Sequence, residues 1–455
     1  MPLGQASAPD GDAPIRLKPL ATQAKSLNSR VSIEARSGVF WGALLAVVLL
    51  FAVSDLALEA LGYRYLGTGG PFFQKLHPSS YVVMAAFFAM LLRTGHPLDA
   101  LMSQGRRWPG ATVFLGFVLV LQAVILLKNY PLTYAIDTFL VPVLLFFVLA
   151  QLAPPEKRML AYLVLAIFLA NTALGFGEYA TGEKLLSLEG GSDVAEKIAD
   201  SLDWRPTAIF GHPLRNAFLT GLCVLILMTM TLPLRARLAF LALQLVAMLL
   251  FGGRSSMAII AVLVVIMGAA GLVKLLLGRR FDIMAIPKAL GGLVAAGAIL
   301  FVLLSTGALD KVIERFEWDE SAETRVSAIR MFEQFEPIDV LFGISQARKD
   351  ALQVIYDTQF GIEIFWLAFL LDYGLIMLAA FTVAIAVFMR DIVAATSSRA
   401  GWLIAFFFLG ISASLGISAK GVLLSQFVVM AMLFFDPQSN RDRNRPRSNA
   451  TNHTP

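Results

Sequence analysis

The sequence predicts an all-α, polytopic integral membrane protein with about twelve transmembrane helices, and three observations carry that prediction. Hydrophobic residues make up 57% of the 455 residues and charged residues only 15%. Mean hydropathy is +0.72. Soluble domains run at about 25% charged and about 45–50% apolar, so a water-soluble globule of this length has too little interior for so much apolar surface. The third observation is spacing. Apolar runs long enough to cross ~30 Å of hydrocarbon as a helix, roughly 17–25 residues, recur along the chain. Together these features exclude a soluble enzyme, a nucleic-acid-binding protein and a disordered chain.

Taken in order, the runs fall near 38–58, 78–93, 110–128, 132–152, 158–177, 213–232, 236–252, 256–277, 288–307, 365–389, 400–416 and 419–435, the last two being short and nearly contiguous. Residues 1–37 are polar and carry Pro and Gly. They lack the short apolar core and small-residue cleavage site of a secretory signal peptide, and so read as an uncleaved, disordered cytoplasmic tail. Residues 436–455 form a second polar tail holding Arg441, Arg443, Arg445 and Arg447. The transmembrane domain is therefore 38–435. Cys223 is alone, which excludes an intrachain disulfide and a cysteine metal cluster.

Orientation follows from Lys and Arg near the span ends, which favour the cytoplasmic side. With the N-terminus in the cytoplasm, Arg93, Arg106, Arg107, Lys157, Arg158, Arg235, Arg237, Arg279, Arg280, Arg390 and Arg399 all fall in short inner segments. Both termini are then cytoplasmic. The net charge of +5 and the pI of about 9.3 reflect topology and not a nucleic-acid footprint. The two long connections, about 178–212 and 308–364, both lie on the outer side and are expected to hold short helices. Their placement suggests extracytoplasmic chemistry.

Several chemistries lack their signatures. No GxxxxGK[ST] phosphate loop is present. His77, His96, His212 and His453 stand at no metal-ligand spacing. Asp10-Gly11-Asp12, the one Asp-x-Asp, sits in the tail, and no GxSxG occurs. No metal or cofactor is expected.

What remains is a set of outward arginines at the membrane edge. Arg254, in Phe251-Gly252-Gly253-Arg254-Ser255-Ser256, opens an apolar span on the side where cations are disfavoured. It either snorkels to headgroups, pairs with a loop acid, or binds an anion at that depth. A lipid diphosphate fits, because guanidinium matches phosphate oxygens two at a time and keeps its charge. The second group runs from Arg205 through His212-Pro213 to Arg215 and Asn216. Pro suits a first helical turn, whose free N–H groups favour an anion. His212 is either structural or catalytic, and Arg205 and Arg215 flank it.

The third group is Ser321–Phe335, an expected amphipathic helix with an acidic first turn. Helical periodicity gathers Val326, Ile329 and Phe332 on one stripe with Arg325 near its centre, whereas Arg330 lies off it. Arg325 then needs an anionic partner, either a ligand or an acid such as Glu363. Asp137, Glu363 and Asp372 are the notable intramembrane acids. Glu363, where the long loop re-enters the membrane, is placed to orient an arginine or act as general base. Asp137, deeper, reads as a helix–helix hydrogen-bond partner.

These segments, in this order, resemble the O-antigen ligase/polymerase superfamily (the Wzy and WaaL type), closest to its VpsF-like exopolysaccharide polymerases. The family's Arg…Gly-Thr-Phe-x-His-Pro-Asn pattern is echoed by Arg205 and Phe210-Gly211-His212-Pro213. Its Ser-Arg-Gly turn is echoed by Gly253-Arg254-Ser255-Ser256. Its long outer loop is echoed by Thr324-Arg325, Phe335, Pro337, Gly343, Trp366-Leu367 and Tyr373-Gly374-Leu375. The likeness spans roughly 200–390. Ligases of the group carry a His-Asn pair at the loop's return, where this chain has Gly361-Ile362-Glu363 and no His from 214 to 452, which favours polymerisation over ligation.

The resemblance implies a metal-independent, inverting glycosyltransferase of the bacterial inner membrane. It would join undecaprenyl-diphosphate-linked oligosaccharides at the extracytoplasmic face, with Arg254, Arg325, Arg205, Arg330 and Arg215 around the diphosphate and Glu363 or His212 as base. Membrane lipids, chain-length proteins and export proteins are the implied partners, and nucleic acid is not. Two alternatives stand: a ligase that transfers glycan to a lipid A-core acceptor, and a lipid-linked oligosaccharide flippase or transporter. The chain shows no half-to-half repeat of the kind transporters carry.

Overall fold

The computed structural model describes residues 38–66, 69–93, 95–184, 205–230, 232–277, 326–356, 362, 364–412 and 417–435. Within them the regular secondary structure is helical. The helices are α1 (Gly38–Ala52), α2 (Asp55–Ala60), α3 (Pro78–Leu92), α4 (Pro97–Arg107) and α5 (Pro109–Leu127). Then come α6 (Leu132–Ala150), α7 (Pro154–Thr181), α8 (Pro213–Thr229), α9 (Leu234–Leu250) and α10 (Arg254–Leu276). The last are α11 (Pro337–Phe342), α12 (Gln346–Ile355), α13 (Phe365–Ala395), α14 (Ala400–Ile411) and α15 (Leu423–Phe434).

The expected span 288–307 lies outside the described residues, as do both tails and 413–416, and every other apolar run contains at least one helix. Five of these helices, α5, α6, α7, α10 and α13, are long and apolar enough to cross a membrane, or six if the bent pair α3 and α4 makes one span. The chain is thus a helical, multi-pass membrane protein, with fewer full-length spans among the described residues than the expected twelve. The shortfall has local causes. The run 38–58 is not one helix: the Ser54 hydroxyl accepts the Ala57 N–H at 3.1 Å and starts α2 afresh. α14 stops at Ile411, and the Ser412 hydroxyl turns back to the Phe408 carbonyl at 2.7 Å.

A helix that is apolar all round is either central or faces lipid. α6 and α15 are central: Val141–Leu149 and Leu423–Leu433 are buried throughout. α10 is the reverse. Only 17% of its spanning window is buried, with Val262, Val265 and Ile266 turned outward. Val113, Leu119 and Val120 of α5 and Val383 of α13 continue this apolar exterior, which suits hydrocarbon and not water.

Glycine sets the closest approaches inside. At the start of α5, a Cβ on Gly110 would fall 2.0 Å from the Val387 carbonyl of α13. That proximity lets Asp391 accept the Ala111 N–H at 2.9 Å and cap α5 from a neighbouring helix. Phe114 and Phe388 then stack at 5.0 Å. Gly221 beneath Phe406, and Gly410 beneath Phe218, interlock α8 with α14 in the same way.

α13 is broken at Gly374, whose φ of 79° and ψ of 174° leave the helix. At 1.5 Å per residue, Leu375–Ala395 spans about 31 Å by itself. Phe365–Tyr373 folds back from the break, placing the rings of Phe365 and Phe369 at 5.1 and 5.0 Å from that of Phe381, and α11 docks at the turn. The Ile344 N–H reaches the Leu371 carbonyl at 2.9 Å. The Lys128 ammonium donates to the carbonyls of Phe342 at 2.6 Å and Asp372 at 2.7 Å. Lys349 of α12 pairs with the Asp372 carboxylate at 2.7 Å.

The segment 321–335 departs from its expected form. Its described part is a helical turn over 326–330 followed by a 3-10 turn, Met331–Gln334. Ala328 and Met331 are buried while Val326 and Ile329 are exposed, so the inward face is rotated from the expected stripe. Bulk at Val326 and Ile329 dominated the periodicity, but close packing against Ile344, Leu352 and Leu371 admits Ala328 and Met331.

Candidate functional site

α1, α7 and α9 finish at the end of the bundle where α3, α8 and α10 begin. Most of the polar side chains singled out by sequence converge at this loop end.

The segment Arg205–His212 is held by carboxylate and carboxamide groups beneath it. Glu178, the first residue of the expected connection 178–212, instead belongs to α7 and is buried. Its Oε2 accepts the N–H groups of Thr207 at 2.7 Å and Ala208 at 2.9 Å. Asn171 Oδ1 accepts those of Ile209 at 3.0 Å and Phe210 at 3.3 Å. Asn171 also donates to Asn216 Oδ1 at 2.8 Å, and Asn216 donates to the carbonyls of Thr207 at 2.6 Å and His212 at 3.1 Å. Satisfied buried amides of this kind fix one conformation. Gly211, at φ 75°, sits against Ser54, where a Cβ would fall 2.6 Å from the hydroxyl.

This clasp aims Arg205 at the turn between α9 and α10. A Cβ on Gly252 would lie 2.9 Å from Arg205 Cδ, and one on Gly253 would lie 2.5 Å from Ala217 Cβ of α8. The paired glycines thus admit the Arg205 stem on one side and α8 on the other. Arg254, half-buried, is the first residue of α10. Two arginines separated by about fifty residues in sequence are brought to one turn.

His212 is the N-cap of α8, and its Nδ1 accepts the Leu214 N–H at 3.2 Å. Nε2 then carries the ring proton. Burial holds the imidazole down to about 4, and the Arg215 cation beside it acts in the same direction. At neutral pH His212 is therefore a neutral donor through Nε2–H, and a base role requires the cap to open. Arg215, one turn into α8, is engaged by Asp55 of α2: Nη1 to Oδ1 at 2.9 Å and Nη2 to Oδ2 at 2.8 Å. Its charge is met inside the protein. Asp55 is held below the usual carboxylate range by that guanidinium, against the opposing effect of burial.

The expected arginines divide accordingly. Arg205, His212, Arg215 and the turn bearing Arg254 share one neighbourhood. Arg330 is exposed in the segment packed near α12 and α13 and joins none of the contacts described above. Arg325 and Glu363 lie outside the described residues.

A second polar centre adjoins this one and was not assembled by sequence reasoning. Asp137 accepts Ser80 Oγ of α3 at 2.6 Å, the His77 N–H at 3.1 Å and the Tyr65 hydroxyl at 3.0 Å. It is thus the helix–helix partner expected of it. Asp137 sits in a π-turn, Ile136–Leu140, just before Pro142, which lacks the N–H that would have bonded the preceding turn. Lys420, between α14 and α15, donates to the carbonyls of Tyr65 and Lys75 and lies 3.7 Å from the centre of the Tyr65 ring. Burial brings its ammonium down to about 8. The sequence signal for each was a charge within an apparent span, Asp55 in 38–58 and Lys420 in 419–435.

Comparison of the chain with protein-family models, with characterised proteins and with solved structures returned no match.

Proposed function

We propose that this chain is a polysaccharide polymerase that joins polyprenyl-diphosphate-linked oligosaccharide repeats at the extracytoplasmic face of a bacterial inner membrane. The observation that carries this reading is the packing of Arg205 against Gly252, on the turn that bears Arg254. Two guanidinium groups at the edge of an apolar bundle suit the diphosphate of a lipid carrier, whose tail lies in the bilayer and whose glycan lies outside it.

In the proposed step the acceptor hydroxyl oxygen attacks the anomeric carbon from the face opposite the diphosphate, and the C–O bond to the diphosphate breaks with inversion. The hydroxyl proton passes to the Glu363 carboxylate, and the lipid diphosphate leaves with the bonding electrons. Arg254, Arg205 and Arg325 meet the charge that grows on it. The neutral His212 Nε2–H is suited to donate to the same oxygens. Arg215 serves instead to hold α8 through Asp55.

Hydrogen bonds to charged groups contribute about 1.5–3 kcal/mol, so Arg254→Ala or Arg205→Ala should slow transfer by roughly one to two orders of magnitude. The test is chain-length profiling of glycan in a deletion strain complemented by each variant at matched membrane abundance. Full-length polymer made at the wild-type rate by both variants would overturn the assignment. Glycan joined to a lipid A-core acceptor, with no lengthening, would identify a ligase instead.

The transporter reading draws on the break in α13, since discontinuous helices build transporter sites. At Gly374, however, the freed carbonyl of Leu371 accepts Ile344 and that of Asp372 accepts Lys128. The break lies beside Lys128 at the end of α5, and the Phe365–Tyr373 limb folds back from it against Phe139 and Phe381, a ring-packed interior with no polar side chain among those contacts. Translocation of lipid-linked oligosaccharide in vesicles, without polymer growth, would favour the transporter.

A further inference from the structure

The opposite end of the bundle carries a second cationic feature that the proposed chemistry does not use. A cavity of about 150 Å³ opens where the start of α7, the end of α8, the turn before α14 and the end of α15 converge. Lys157, Arg158 and Tyr162 of α7 line it, with Arg399 across from them and Leu433 and Phe434 as an apolar wall. Lys157 is buried, whereas Arg158 and Arg399 are exposed.

The local chemistry makes this cavity cationic. No Asp or Glu is among its described lining residues. Glu156, next to Lys157, is turned back to accept the Ala153 N–H at 2.7 Å as an N-terminal cap of α7, and Asp436, next to Phe435, lies outside the described residues. A further cation borders it: Arg237 of α9 donates to the carbonyl of Met230, itself a lining residue, at 3.0 Å. Cations from α7, α9 and the turn before α14 thus surround one opening, whose remaining wall is apolar and aromatic apart from Thr229 and Ser397. Tyr162 is 55% exposed beside it, the half-wet position that tyrosine favours at a membrane–water interface.

We propose that this cavity binds the phosphate of an anionic glycerophospholipid, with Arg158 and Arg399 as the principal contacts and an acyl chain leaving along the apolar wall. Basic openings between transmembrane helices take phospholipid headgroups for this reason: the guanidinium rim meets the phosphate while the tail stays in hydrocarbon. A soluble anion has no use for the apolar side. The site lies at the far end of the bundle from Arg205 and Arg254, so it stands or falls independently of the polymerase reading.

The test uses the full-length protein in nanodiscs and in mild detergent, with lipid retention read by native mass spectrometry. Phosphatidylglycerol should be retained by the wild type in preference to phosphatidylcholine, and inorganic phosphate should compete only weakly. Each surface arginine contributes about five-fold in affinity for an anionic lipid, so Arg158→Ala with Arg399→Ala should weaken retention roughly twenty- to thirty-fold. The charge-preserving pair Arg158→Lys with Arg399→Lys should keep most of it. Equal retention of the two lipids by the wild type, a comparison that needs no variant, would overturn the proposal. So would undiminished phosphatidylglycerol binding by the folded double alanine variant. Tight binding of inorganic phosphate without lipid preference would show a simple anion site and equally overturn it.

Discussion

Asp55 and Arg215, 160 residues apart, face one another through two parallel hydrogen bonds of 2.9 and 2.8 Å. Their side chains are only 13% and 18% exposed. The pair fastens the short helix after α1 to the first turn of α8, beside the His212 cap. Removing one member leaves the other charge unpaired away from water, which costs about 3–5 kcal/mol in buried pairs. Asp55→Asn should therefore lower the melting temperature of the detergent-solubilised protein sharply, with a cost near the lower figure. Asp55→Asn combined with Arg215→Leu should recover most of the loss, and a double variant as unstable as the single one would contradict this account.

Acid sensitivity should appear well above the carboxylate range. His77 and His212 are both brought down to about 4 by burial, against 6.5 for an ordinary imidazole. Between those values the unfolded chain binds protons that the folded chain does not, so stability falls as pH drops from about 6.5 to about 4. The loss is complete below the lower value. For His77, 1% exposed, it amounts to roughly 3 kcal/mol. Melting temperature against pH measures it. His212→Asn, which keeps an N-cap, should flatten that limb while leaving stability at pH 8 nearly unchanged.

Gly252→Ala tests whether the position of Arg205 matters while every arginine is kept. The glycine has φ 69°, and an added Cβ would fall 2.9 Å from Arg205 Cδ. Arg205 must then swing away from the turn. The expected outcome is a drop in polymer formation of about ten-fold or more at wild-type abundance, with a backbone strain of about 1–2 kcal/mol. Unchanged polymer length would separate Arg205 from the reaction.

Gly374→Ala should be among the most damaging single methyl additions in the chain. At φ 79°, its Cβ would lie 2.3 Å from the Leu341 carbonyl, so both the helix break and the docking of α11 are lost. The expected readouts are a loss of more than about 2 kcal/mol and rapid proteolysis within 337–356. Gly401→Ala is the control. Nothing lies within 4 Å of a Cβ there, and in α14 the change should stabilise by about 0.5–1 kcal/mol.

The positions of the apolar helices were legible in the sequence because hydrocarbon imposes a length and a composition that any reader can scan for. The Arg205, His212 and Arg254 segments were legible as cations placed where lipid makes charge expensive. Whether a run of apolar residues forms one helix or two was not legible. Val53–Ser54 and Gly374 interrupt helices because distant partners meet the freed carbonyls, His77 at Val53 in one case and Ile344 with Lys128 at Leu371 and Asp372 in the other. The same limit hid the rotated face at Ala328 and Met331, where the shape of the receiving surface outweighed side-chain bulk.

By itself the sequence determined that this protein lives in a membrane as a set of helices, and which cations stand near its edge. Only the tertiary structure decided where each of those cations stands. Arg215 is met by Asp55, and Arg205 is brought to the Arg254 turn by Glu178 and Asn171 holding the backbone that follows it. The physical reason is that burial is written in composition residue by residue, while charge neutralisation depends on partners within a few ångströms, and chain folding sets those distances independently of sequence separation.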